Sequence, residues 1–153
     1  FKDRGRRCDE FIEVIKSLWA DPITHYEGEH VQVKGARMDP KPVQPGGIPM
    51  IIGGHSPAGF RRAAKYGQGW YGFQLNLEQT AAMKSELNRA LEDQGRSWDE
   101  FELIITPPYG ITKDQVQAYQ DLGVDRLIVH LGSQKPDRID QRLNLVSDLI
   151  EAA

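Results

Sequence analysis

The sequence has one cysteine, Cys8, so no disulfide can form within its 153 residues. An unpaired thiol fits a reducing cytoplasm, where we expect the chain to work. Its small apolar character points to packing rather than to nucleophilic chemistry. Long apolar runs are missing too. The longest, around Met50–Ile52 and Leu127–Val129, fall far short of the roughly 18 residues that a membrane span requires. There is no excess of positive charge: 19 lysines and arginines face 22 aspartates and glutamates, a net charge of -3. That argues against a general nucleic-acid binder, which presents a basic face. Familiar catalytic signatures are absent as well, with no Gly-x-Ser-x-Gly elbow, no HExxH helix, no P-loop and no GxGxxG fingerprint. His25 and His30 are too far from any acidic or cysteine cluster to suggest a metal site, and none is expected. The first residue is Phe1 rather than Met, so a piece of a longer chain is expected.

What is present reads as one globular domain over residues 1–153, with 39% hydrophobic and 27% charged residues. Phe11, Val14, Ile15, Leu18 and Trp19 recur at helical spacing and predict a helix over 7–20. Asp9, Glu10 and Glu13 then lie on its solvated face. Residues 25–33 alternate about Gly28 and predict a hairpin or extended excursion. The prolines and glycines of 40–49 predict a loop. From Pro49 onward strands and helices alternate. Strands are expected at 50–54, 70–73, 101–106 and 127–129, and helices at 57–66, 77–93, 113–122 and 137–152. Asn76 and Thr112 suit helix N-caps, Thr112 with Gln115 as a capping box, while Gly95 and Gly123 suit helix ends.

Four βα units with apolar strands imply an α/β fold with parallel strands buried on both faces. They form either a small open sheet or half of an eight-stranded barrel. An open sheet leaves two bare edges, and neither edge strand carries an internal proline or a lysine pair. Pairing with further strands or with a second copy is therefore expected, the latter giving a homo-oligomer.

The segment from Ile51 to Ala64 carries the clearest chemical signal. A strand runs into Gly53 and Gly54, then His55 and Ser56, then Pro57 at a first helical turn. Glycines let backbone approach a ligand, Ser56 can cap the helix and donate to a phosphate, and a helix N-terminus favours an anion. The same pattern also describes an ordinary tight turn with a cap. Arg61 and Arg62 could reach an anion or simply solvate a helix face. Trp70 could wall a planar ligand or fill the core. Thr106, Tyr109, His130 and Ser133 follow later strands, at the end where such folds bind ligands.

Together these segments resemble the luciferase-like monooxygenase family, whose members use FMN or the deazaflavin coenzyme F-420. The resemblance runs from Arg4 to Trp19, through Tyr26–His30, Pro42–Pro45, Ile48–Gly54 and Arg62–Ala64, to Gly69–Trp70. It extends in texture through Gly123–Val129. It implies that the chain is the C-terminal half of a TIM (β/α)8 barrel, its strands being the fifth to eighth. It also implies that Gly53, Gly54, His55 and Ser56, with Trp70 beside them, hold the phosphate of FMN or coenzyme F-420. The family commonly has an acidic residue where this chain has Gln68, which puts the role of that carboxylate in doubt. The catalytic residues would lie upstream, so the chain is expected to be an inactive fragment of a flavin- or F-420-dependent oxidoreductase performing hydride transfer or monooxygenation on a small molecule. The alternative is a catalytically inactive half-barrel, structural or phosphate-binding, that associates with itself. No nucleic-acid or membrane partner is expected.

Overall fold

The computed structural model describes residues 2–130 and 135–150. The chain divides into two compact units, Phe1–Met50 and Ile51–Ala153. Among the described residues no helix is long and apolar enough to cross a membrane.

The first unit is one helix and one hairpin. Helix α1 spans Arg4–Ala20, three residues longer at its start than expected, because the Arg7 amide already bonds back to the Asp3 carbonyl. Strands β1 (Thr24–Glu27) and β2 (Gln32–Ala36) pair antiparallel. The buried residues of α1 are Ile12 and Val14. Phe11 and Ile15, expected on the apolar stripe, are exposed. Cys8 is exposed too, so the expectation of a packing residue is corrected.

The acidic residues of α1 do not form the expected solvated face. Glu10 accepts the amides of Glu29, His30 and Val31 at 3.1, 2.9 and 2.8 Å, and Glu13 accepts the Tyr26 hydroxyl at 2.9 Å. The helix thus clasps the turn of the hairpin. Desolvation pushes the Glu10 carboxyl up, but the three amides outweigh it and hold the group below its ordinary value.

The second unit is an α/β layer. Strands β3 (Ile51–Gly53), β4 (Gly69–Phe73), β5 (Glu102–Thr106) and β6 (Arg126–Leu127) form one sheet in the order β3-β4-β5-β6. All three pairings are parallel. Strand order follows chain order without reversal. Right-handed crossovers in that order place every connecting helix on the same face of the sheet.

The helices are α2 (Pro57–Tyr66), α3 (Leu77–Glu92), α4 (Lys113–Asp121) and α5 (Pro136–Ile150). They share one core with the sheet. Phe60, Ala63, Leu87, Leu91, Tyr119 and Leu149 pack there with Trp70, Leu103 and Ile105. Ile52, Trp70 and Leu103 lie in one register row, and Ile105 with Leu127 in the next. Alternation sends Tyr71, Ile104 and Thr106 to the other face, where the Tyr71 and Thr106 hydroxyls bond at 2.8 Å.

The expected caps are in place. Asn76 and Thr112 each accept an N3 amide and complete a capping box, Asn76 doing so with Gln79. Gly95 and Gly123 take φ of 64° and 73° beyond α3 and α4, a region open to glycine without steric cost. β6 is shorter than its apolar run suggests, since only Arg126 and Leu127 find ladder partners on β5. On α5, Leu149 is buried, but Leu143 and Ile150 from the expected stripe are exposed.

Candidate functional site

The loop between β3 and α2 lies at the C-terminal end of the parallel sheet, where α/β folds place their ligands. Gly54 takes φ of 116°, which turns the chain out of the strand. Ser56 is extended at the N-cap of α2, Pro57 occupies the first turn, and the Ser56 Oγ accepts the Gly59 amide at 3.2 Å. That bond uses a lone pair of the hydroxyl and leaves its proton free to donate outward. The first helical bond runs from the Phe60 amide to the Ser56 carbonyl. The Ala58 amide, two residues earlier, has no acceptor among the described residues. Ser56, Pro57 and Ala58 are all exposed. The N-terminus of α2 therefore presents a hydroxyl, an amide and the positive end of the helix dipole to one side of the loop.

The neighbouring strand β4 grips this loop twice. The indole Nε1 of Trp70 donates to the Gly54 carbonyl at 3.0 Å, and the Phe73 amide donates to Nε2 of His55 at 3.2 Å. The His55 and Trp70 rings are 5.6 Å apart at a tilt of 52°, and Phe60 meets Trp70 edge-on at 5.5 Å. Trp70 is wholly buried, whereas His55 is exposed.

Of the other sequence candidates, Thr106, Tyr109 and His130 lie at or beyond the C-terminal ends of strands, whereas Gln68 lies at the opposite end of the sheet. Arg61 is exposed on α2, and Arg62 is half-buried. Thr106 is buried and committed to Tyr71. Tyr109 is exposed beyond β5, and its ring meets that of His130 at 5.4 Å. Ser133 lies outside the described residues. Gln68 is exposed before β4, and its carbonyl accepts the Glu102 amide at 2.9 Å. The sequence brings Gly53, Gly54, His55 and Ser56 together simply by adjacency. The two β4 bonds span 16 and 18 residues and have no local signal.

The model of the luciferase-like monooxygenase family matches residues 1–147. An uncharacterized protein of Mycobacterium tuberculosis is 33% identical over 129 residues, covering 84% of this chain and 43% of that protein. A 5,10-methylenetetrahydromethanopterin reductase of Archaeoglobus fulgidus is 26% identical over 147 residues, covering 96% of this chain and 43% of the reductase. The chain thus spans less than half the length of these relatives. Among solved structures, an F-420-dependent secondary alcohol dehydrogenase in complex with an F-420–acetone adduct superposes with a TM-score of 0.81 at 12% identity. The match covers 99% of this chain and 62% of that one. At such identity the likeness concerns the fold.

Proposed function

The chain belongs to the luciferase-like monooxygenase family, and we propose that it is the C-terminal half of such a barrel and supplies the phosphate site for FMN or coenzyme F-420. The observation that carries this reading is the donor set at the N-terminus of α2: the Ser56 hydroxyl and the Ala58 amide, on a loop that Gly54 opens to close approach. These residues fit a phosphate, because an anion needs several donors and none of these requires a charge change to act. Gly53 and Gly54 form the wall of the cradle, and His55 and Ser56 its rim. Four parallel strands in unbroken chain order suit half of a (β/α)8 barrel.

When bound, such a cofactor supplies the hydride-transfer or oxygenation chemistry, and the protein supplies binding and orientation. This chain's residues anchor the phosphate end, while the groups that handle substrate and proton belong to the other half of the barrel. The chain alone binds the cofactor but does not turn over substrate. Titration with FMN and with F-420, followed by fluorescence, tests this. Ser56→Ala should weaken binding about tenfold, the worth of one hydrogen bond to a charged group. Equal affinity in both proteins would remove Ser56 from the site, and rapid turnover by the chain alone would refute its role as half an enzyme.

A second reading rests on the sheet edges. β3 and β6 each have one strand neighbour, and two copies could join β6 of one to β3 of the other into eight strands without an edge. Light scattering decides it: a homodimer fits this reading and a monomer excludes it.

A further inference from the structure

We infer that Trp70 is the positioning residue of the phosphate cradle, shaping it through Gly54 and His55 without touching the ligand. The inference rests on the phosphate-site reading and goes further, by saying what makes the loop selective for an anion.

A loop that binds phosphate must turn donors outward and keep acceptors away, since a carbonyl or imidazole lone pair facing the anion would repel it. Among the acceptors of Gly54 and His55, β4 takes up one carbonyl and the imidazole nitrogen. The Trp70 indole N–H, a donor with no acceptor capacity, holds the Gly54 carbonyl at 3.0 Å. The Phe73 amide, also an obligate donor, holds Nε2 of His55 at 3.2 Å. A ring nitrogen that accepts from an amide has its lone pair engaged and turned away from an anion.

Trp70 makes the first bond itself and packs beside the ring that accepts the second. Its ring is wholly buried, lies 5.6 Å from His55 and is braced by Phe60 at 5.5 Å. The indole thus fixes the carbonyl through its N–H and packs beside the imidazole. A phenylalanine could fill much of the same space but could not hold the carbonyl.

The test uses the 153-residue chain with FMN and riboflavin as probes. The two share a ring system and differ by the phosphate, so the ratio of their Kd values isolates the phosphate's share. Trp70→Phe removes the N–H and keeps an aromatic ring against Phe60. Phe60→Leu disturbs the same packing and keeps the N–H. Trp70→Phe should narrow the preference for FMN about tenfold with riboflavin affinity unchanged, and Phe60→Leu should leave the preference as it is. In 13C spectra without ligand, the Gly54 carbonyl should shift upfield in Trp70→Phe, as loss of its hydrogen bond requires, and stay in place in Phe60→Leu.

A wild-type chain that binds FMN no better than riboflavin would refute the phosphate reading by itself. The carbonyl shift needs no ligand and judges the positioning role separately. An unchanged ratio and Gly54 carbonyl shift in Trp70→Phe would overturn the inference, and so would an equal loss of preference in Phe60→Leu. Should Trp70→Phe unfold, hydrogen exchange of the wild-type Trp70 Nε1–H decides. Slowing by FMN but not by riboflavin supports the role, and no slowing by either overturns it.

Discussion

The Tyr119 hydroxyl on α4 donates to the Leu75 carbonyl beyond β4 at 2.7 Å, a buried bond across 44 residues. Both residues are at most 5% exposed, so no water can replace the donor. Tyr119→Phe should therefore leave a buried carbonyl unpaired and lower stability by about 1–3 kcal/mol, measured by urea unfolding. Burial also pushes the phenol above its ordinary value of 10.0. The folded state then disfavours phenolate, so as pH rises beyond 10 the wild type should lose more stability than Tyr119→Phe. Parallel curves for the two proteins would contradict the burial argument.

Gly59 lies in the first turn of α2, where alanine would ordinarily stabilise a helix by about 1 kcal/mol. Here an added Cβ would fall 2.7 Å from the Gly54 carbonyl oxygen and 3.2 Å from its carbon. Both are backbone atoms, and the oxygen is already held by Trp70. The clash should win, and Gly59→Ala should lower stability by about 1–3 kcal/mol in thermal melts. A stabilised variant would mean that the loop gives way freely, which would also weaken the case for a fixed cradle.

The elements of the second unit were legible because their signals are local. Ser56, Asn76 and Thr112 sit at helix starts and cap amides three residues on, and the apolar strands show in the sequence as short runs. The Asn76–Gln79 box has the same local pattern, though Asn76 was expected only as a cap. What was not legible depends on distant partners. Glu10 meets amides 19 to 21 residues away, so the helical wheel assigned it to solvent. The wheel also put Phe11 in the core, because a stripe shows which side is apolar but not what covers it. At the site, adjacency grouped Gly53 to Ser56. That Trp70 acts on them from the core could be learned only from the parallel register of β3 and β4.

Glu10 supplies the third prediction, a pH dependence of the first unit. Its carboxylate accepts three amides of the hairpin turn, and they hold it below its ordinary value of 4.5 despite desolvation. A group whose folded value is depressed stabilises the fold at neutral pH, and that contribution is lost as pH falls through 4.5 and below. Glu10→Gln keeps the shape but gives up the charge and one acceptor oxygen, turning an NH2 toward an amide. It should therefore be less stable than the wild type at pH 7. The gap should close as both are titrated toward pH 3, because protonation makes Glu10 resemble its amide. Melts of the two proteins across that range check this. A gap that stays constant with pH would mean that the clasp works through shape alone, and that the carboxylate charge contributes nothing to holding the hairpin on α1.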